Sequence, residues 1–272
     1  MKWITSLFRF YINSSIHVTL AICALAGITF ITTDIPLNFW FFTFLFSASI
    51  TGYNFVKYAG YAKFHHRSLT KQLRSIQIFS LFSFIFLIVA TLKQSLHFII
   101  DAGLLGIFTL LYALPFLPNH TTLRRLKIIK IVVIAVVWGV ATAGLPVIDK
   151  TDFSFTTGLR IFNYGLFVLA IIIPFEIRDL TFDDPDLGTL PQLVGIQKAK
   201  NLGYLLLLLF MGTGFLLPLS GYELTANIGI ALLAGFCIKS STINQPPYFA
   251  SFGVESLPIV WLLLRLLAKS IA

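Results

Sequence analysis

The sequence predicts an all-α, polytopic membrane protein. Of its 272 residues, 57% are hydrophobic and only 11% are charged, with a mean hydropathy of +0.88. A soluble domain carries about 25% charged residues. The apolar residues gather in nine runs of a length suited to crossing a bilayer. The lysines and arginines fall in the short connections between the runs, where orientation signals of membrane proteins lie. These features exclude a soluble enzyme with a charged coat, a disordered tail and a nucleic-acid reader. The net charge of +9 therefore points to topology rather than to a polyanionic partner.

Residues 1–13 read as a short interfacial amphipathic segment, with Trp3, Ile4, Leu7, Phe8, Phe10 and Tyr11 beside Lys2 and Arg9. The nine runs are Ile16–Thr33, Leu37–Tyr58, Ile76–Leu92, Leu96–Leu117, Ile128–Ile148, Gly158–Phe175, Leu202–Leu219, Leu224–Ile238 and Phe249–Leu267. Ala24-Leu25-Ala26 resembles a signal-peptide cleavage site, but apolar residues continue to Ile31, which favours an uncleaved first helix. No long polar segment separates the runs, so 1–272 reads as one transmembrane domain. Cys23 and Cys237 lie inside apolar runs and read as small buried hydrophobes. Gly139-x-x-x-Ala143 and Gly103-x-x-Gly106 suggest close helix crossings. Pro115, Pro146, Pro174, Pro218 and Pro258 can kink or end helices, and Pro174 stands just before an acidic run that it could turn into a cavity.

Nine spans put the chain ends on opposite sides. Assigning each lysine and arginine to a side gives 15 with the N-terminus and 5 opposite. The positive-inside rule then places the N-terminus in the cytoplasm and the C-terminus outside, in an inner or plasma membrane. On this layout Asp101 and Glu255 are expected near the outer interface, without a chemical role.

Five of the 11 acidic residues fall within Glu176–Asp186. If the sixth helix continues through this stretch, Glu176, Asp179 and Asp183 share one face at i, i+3 and i+7, and Pro185 ends the helix near Asp184. Crowded carboxylates repel unless a cation sits among them. Magnesium fits that need, because it accepts one or two carboxylates and leaves positions for phosphate. A solvated polar loop neutralised by Arg178 and nearby lysines is the alternative reading. His65 and His66, adjacent in a basic loop without a Cys or Glu partner at ligand spacing, are a weak metal signal.

The stretch Glu176-Ile-Arg-Asp179-Leu-Thr-Phe-Asp183, followed by Leu187-Gly-Thr-Leu-Pro-Gln-Leu-Val-Gly195 and Lys198, resembles the second aspartate motif of the UbiA family of membrane prenyltransferases. That motif reads roughly Asp-x-x-Asp-x-x-x-Asp, then Gly-x-x-Thr-Leu-Pro and a later Gly. Asp179 and Asp183 match, and Glu176 is a conservative replacement. Nine helices, a cytoplasmic motif after the sixth and the chain length agree. Tyr112, in Leu110-Leu-Tyr-Ala-Leu-Pro115, resembles a Tyr-containing segment of the family. The resemblance implies a nine-helix bundle with a central cavity open toward the membrane. It also implies Mg2+ held by two acidic motifs, a bound prenyl diphosphate, and capture of the allylic cation by a lipophilic, often aromatic acceptor.

The first motif of that family, roughly Asn-Asp-x-x-Asp-x-x-x-Asp, meets Gly52-Tyr53-Asn54-Phe55-Val56-Lys57-Tyr58-Ala59-Gly60-Tyr61-Ala62 here. Asn54 keeps the leading Asn, while Phe55, Tyr58 and Ala62 stand in the aspartate positions. The Tyr-x-x-x-Lys pattern is also broken, with Phe116 in the Lys position and Lys130 as a nearby replacement. Carried over, the resemblance makes Asp179, Asp183 and Asn54 catalytic, and Glu176, Asp179 and Asp183 metal ligands. Lys57, Tyr58, Tyr112, Lys130 and Arg178 become substrate-binding. Asn54 and Asp179 are then expected to face one cavity. Lys57 shares a helical face with Asn54, Tyr58 and Tyr61, and is expected either to point at the carboxylates or to reach the interface unpaired. The function implied is a prenyltransferase, weakened by the lost motif. A non-catalytic isoprenoid- or lipid-binding or scaffolding protein is the alternative, and a transporter ranks behind both.

Overall fold

The computed structural model describes residues 2–62, 71–113, 128–148, 153–183 and 187–271. Every apolar run becomes helix, because in a bilayer a helix satisfies its backbone internally. In chain order the helices are α1 (Lys2–Asn13), α2 (Ile16–Thr32), α3 (Phe39–Ala62), α4 (Lys71–Thr91), α5 (Leu96–Ala113) and α6 (Ile129–Gly139). α6 continues through a π turn, Val140–Gly144, and a 3-10 turn, Leu145–Val147. Then come α7 (Phe155–Asp179), the short α8 (Leu190–Val194), α9 (Ile196–Leu216) and α10 (Gly221–Ser240). A second π turn, Phe249–Val254, leads into α11 (Leu257–Ile271).

Among the described residues, seven helices are long and apolar enough to cross a membrane, and eight if the bent pair α1–α2 counts as one span. The fourth run of the sequence yields only a shorter apolar helix, Leu96–Leu111. α1 forms as the separate amphipathic segment that its sequence predicts, bent 55° against α2, with Trp3 and Ile4 exposed. Ser15 makes the bend in a left-handed conformation, φ 63°.

α7 lies at the centre, with α6, α9 and α10 packed around it. Ser154 starts it by accepting the Thr157 amide. Phe167, Phe210, Tyr164 and Trp261 join α7, α9 and α11 in an aromatic core with ring centroids 5.0–5.3 Å apart. α4 turns Leu81, Phe82, Ile85 and Phe86 outward, a surface suited to lipid rather than to water.

The two small-residue pairs behave differently. A Cβ on Gly139 would stand 2.7 Å from the Ile161 carbonyl oxygen, so α6 and α7 meet backbone to backbone there. Among the described residues, a Cβ on Gly103 or Gly106 would meet nothing within 4 Å, which corrects the expectation of a close crossing at that pair. Pro174 is buried within α7, which runs on to Asp179, and its carbonyl accepts from Gln245 Nε2 at 3.2 Å. Pro115, Phe116, His65, His66, Asp184, Pro185 and Asp186 lie outside the described residues, and Tyr112 is described only as backbone of α5.

Candidate functional site

α7 ends at Asp179, earlier than the helix end near Asp184 that Pro185 implied. Leu180–Asp183 then curl into a turn in which the amides of Phe182 and Asp183 both donate to the Asp179 carbonyl, at 2.9 and 2.8 Å. The turn carries Asp183 back toward α6. There Lys130, in the first turn of that helix, places Nζ 2.8 Å from Glu176 Oε1 and 3.7 Å from Asp183 Oδ2. Glu176 and Lys130 keep only 6% and 13% of their side-chain surface exposed, so the pair is largely out of water. Asp179 takes another direction. The Arg178 guanidinium grips both of its oxygens, at 2.7 and 3.1 Å, and stacks its charge over Phe175 at 5.2 Å. The three carboxylates therefore divide between two cations, and the face expected to carry all three carries two.

The segment after the turn holds this arrangement in place. Gly188 and Gly195 adopt positive φ of 64° and 82°, a conformation that L side chains avoid. Thr189 opens α8 with its amide donating to Gln192 Oε1 at 2.8 Å. Leu190 is buried with Ile173, Ile177, Ile131 and Ala199, which fastens the turn to α6, α7 and α9 together. The Gly-Thr-Leu-Pro pattern is thus a physical device for returning the chain beneath the acids.

The α3 residues serve another purpose. Asn54 Oδ1 accepts from Ser15 Oγ at 2.8 Å, and its Nδ2 donates to the Ser14 carbonyl at 3.1 Å and to Ser80 Oγ at 2.8 Å. Lys57 Nζ and Tyr58 Oη both donate to the Asn13 carbonyl, at 3.2 and 2.8 Å. Asn54, Lys57 and Tyr58 therefore clamp the α1–α2 elbow. The expectation that Lys57 neutralises Glu176, Asp179 or Asp183 is corrected, because Lys130 holds that position and the elbow holds Lys57. The unpaired-lysine alternative is equally displaced by the bond to Asn13. For Asn54, the expected view into a shared cavity gives way to a buried amide whose oxygen and both hydrogens are engaged.

A residue set aside in the sequence joins this end of the bundle. Glu255 lies within reach of the charges of Lys57 and Arg178, which corrects its expected place at the outer interface. α11 starts at the end where α7 finishes, and the parity of the spans carries that signal. The π turn before Glu255 also receives His17, whose Nε2 lies 3.0 Å from the Phe252 carbonyl oxygen and 3.1 Å from Ser256 Oγ. Nδ1 of the same ring meets Tyr11 Oη at 2.7 Å. Burial pushes the Tyr11 phenol above its ordinary value, and the charge of Glu255 adds to the effect.

Magnesium was the expected occupant of the acidic turn, and the described residues do not fit an ion held by the protein alone. Lys130 already stands between Glu176 and Asp183, and Arg178 takes both oxygens of Asp179. Among the described residues no three His, Cys, Asp or Glu side chains come together as a metal site. Glu176 Oε2 and Asp183 Oδ2 do remain buried without a hydrogen-bond partner. Lys130 thus bonds Glu176 Oε1 alone, and the Asp183 oxygen that faces it stays beyond hydrogen-bond reach at 3.7 Å. The two described pockets lie elsewhere. One, of about 480 Å³, sits among Phe42, Phe46, Phe79, Phe82 and Phe86. The other, of about 790 Å³, lies between α5, α6 and α7 beside Asp101. Neither is lined by the acidic turn.

No protein-family model matches the sequence, and no curated protein matches it. Solved structures do. A UbiA homolog from Aeropyrum pernix K1 aligns with a TM-score of 0.65 at 12% identity, over 94% of this chain and 97% of that one. A UbiA homolog from Archaeoglobus fulgidus bound to GPP and Mg2+ aligns at 0.64 and 12% identity, over 96% and 99%. A structure of digeranylgeranylglyceryl phosphate synthase aligns at 0.59 and 16% identity, over 100% and 98%. The chain has the UbiA fold over nearly its whole length.

Proposed function

We propose that the protein is an intramembrane prenyltransferase of the UbiA type, moving a prenyl group from a prenyl diphosphate to a lipophilic acceptor such as an aromatic ring. The observation that carries this reading is the near full-length likeness to UbiA homologs, of which structures hold GPP or DMAPP with Mg2+. The acidic turn with Lys130 and Arg178 gives the reading a site, at the end of the bundle where Lys57 and Glu255 also gather. Breaking the bond from the allylic carbon to diphosphate develops negative charge on the leaving oxygen, and fixed cations stabilise that charge. Among the described residues, Lys130 and Arg178 are cations at the acidic turn that can take this part, with Lys57 at the same end of the bundle, while Asn54 and Tyr58 hold the α1–α2 elbow. The Lys130–Glu176 pair must loosen for Lys130 to serve a substrate, which predicts slow turnover.

A second reading has its own support. A site whose acids are already matched by Lys130 and Arg178 suits a protein that binds an isoprenoid or lipid without converting it. Transfer of labelled prenyl groups from DMAPP, GPP and longer diphosphates, in isolated membranes with and without Mg2+, separates the two. Transfer supports the first reading. Binding of the diphosphate without transfer supports the second, and absence of both sinks both.

The same reading includes nine crossings. α6 begins beside the end of α7, and Lys93 after α4 lies over Trp40 near the start of α3, 5.9 Å from its ring. A chain that leaves α4 at that end and starts α6 at the other needs α5 as a span, and 18 residues of helix reach about 27 Å.

A further inference from the structure

The end of the bundle away from the acidic turn holds a second buried polar cluster. Glu223, in the first turn of α10, is satisfied completely. Its Oε2 accepts from the Ser220 amide and hydroxyl, both at 2.8 Å, and its Oε1 accepts from Arg265 at 2.7 Å. Arg265, on α11 and 3% exposed, also donates to Thr32 Oγ1 at 2.6 Å and to Asn227 Oδ1 at 2.9 Å. The Trp261 indole donates to the same Asn227 oxygen at 2.9 Å. The Glu223 and Arg265 charges therefore cancel.

Arg160 is left over. It lies on α7 and is 5% exposed, one turn before Asn163 and Tyr164 on the same helical face. Its charge reaches Tyr164 and Arg265, yet among the described residues no hydrogen bond or carboxylate answers it. Two other donors in the cluster are also idle, Arg265 Nε and Asn227 Nδ2, both buried without a partner. Asn227 Nδ2 points at Gly214, where a Cβ would meet it at 3.3 Å and the Asn163 amide nitrogen at 3.9 Å. An uncompensated buried charge is costly, more so at membrane depth. Idle donors around it ask for an acceptor.

We infer that this cluster is an anion site: Arg160, with the idle donors of Arg265 and Asn227 nearby, accepts one oxyanion, phosphate or carboxylate in type, between the ends of α2, α7, α10 and α11. A guanidinium suits such a group because its planar fork matches two oxygens at once. The oxyanion comes from a lipid headgroup or from free phosphate. The site stands apart from the acidic turn, since Arg160 and Glu176 are 16 positions apart on α7, about 24 Å along a helix. It does not rest on the prenyl-transfer reading.

The test is thermal unfolding of the full chain in neutral detergent. Inorganic phosphate is titrated in one arm, phosphatidylglycerol in a second and phosphatidylcholine in a third. The expected result is a rise in Tm with phosphate or phosphatidylglycerol and none with phosphatidylcholine. Arg160→Gln should remove the rise, while Lys200→Gln, at the other end of the bundle, should keep it. A response to phosphate assigns a free anion, and a response to phosphatidylglycerol alone assigns a lipid headgroup. No response in either arm, or an equal response in Arg160→Gln, overturns the site. Should Arg160→Gln not fold, Arg160→Lys replaces it; a response as strong as that of the natural chain then overturns the role of the guanidinium fork.

Discussion

Lys130 is the residue on which the acidic turn depends, because it meets two carboxylates in a place nearly closed to water. Replacing it with Met leaves Glu176 buried with no cation. Breaking a buried pair from one side costs about 3–5 kcal/mol, so Lys130→Met should lower Tm markedly in detergent. Lys130→Met with Glu176→Gln should recover much of the loss, because only the less buried Asp183 carboxylate is then left without its cation. An undiminished Tm in the single variant would show that the pair does not hold the turn. A related outcome concerns magnesium. If the lysine stands where a metal would, Lys130→Ala should bind Mg2+ more tightly than the natural chain in calorimetry, and an equal, weak signal from both removes the idea. Asn54 makes the opposite kind of claim. Its three bonds join α3 to the elbow and to α4. Asn54→Ala leaves Ser15, Ser80 and the Ser14 carbonyl without their partner, at a cost of roughly 1–3 kcal/mol. The loss should appear in the unfolding of the ligand-free protein, whereas a purely catalytic Asn54 would leave that stability unchanged.

At the scale of elements, the α6–α7 crossing sets the distance between Lys130 and Glu176, since one residue sits on each helix. Gly139 allows the approach by offering no Cβ to the Ile161 carbonyl. Gly139→Ala forces the helices apart, and overpacking of this kind costs about 1–3 kcal/mol. Gly103→Ala and Gly106→Ala meet open space and should stay within about 0.5 kcal/mol of the natural chain. Unfolding of the three variants side by side checks the contrast; equal effects would remove the crossing as the cause. The two pairs looked alike in the sequence because small residues report permission for a close approach, not the presence of a neighbour. The same limit explains the α3 residues. The spacing of Asn54, Lys57 and Tyr58 correctly put them on one helical face. The partner of that face, the Asn13–Ser15 elbow, depends on a left-handed Ser15 that no periodicity announces. The acidic run and the Gly-Thr-Leu-Pro pattern were legible because they are local, each residue acting within a turn or two of the next. The partners of Lys130 lie 46 and 53 positions away, a separation that no local spacing reports. The end of the bundle at which Glu255 lies follows from the parity of the spans and not from its neighbours in sequence.

At the scale of the whole molecule, contacts sort the helix ends into two groups whatever their relation to the membrane. Asn13 meets Lys57 and Tyr58, Lys130 meets Glu176, Lys200 Nζ donates to the Lys239 carbonyl at 2.8 Å, and Gln245 reaches Pro174. These pairs gather the start of α2 and the ends of α3, α7 and α10 with the starts of α6, α9 and α11. Thr32, Glu223 and Arg265 meet at the opposite end. The first group carries Lys2, Arg9, Lys57, Arg74, Lys130, Arg178, Lys198, Lys200 and Lys239, while the second carries few basic residues exposed to solvent. Moving lysine and arginine across a membrane is disfavoured, so the richer end is expected to stay in the cytoplasm. The acidic turn is therefore expected to face the cytoplasm. A compartment-sensitive reporter fused after Asp186 should give a cytoplasmic signal, and one fused after Ala272 an external signal. The pair tests parity as well as orientation. Two cytoplasmic signals would mean an even number of crossings, with α5 or the α1–α2 pair failing to span. An external signal after Asp186 would invert the bundle and remove the diphosphate reading of the acidic turn.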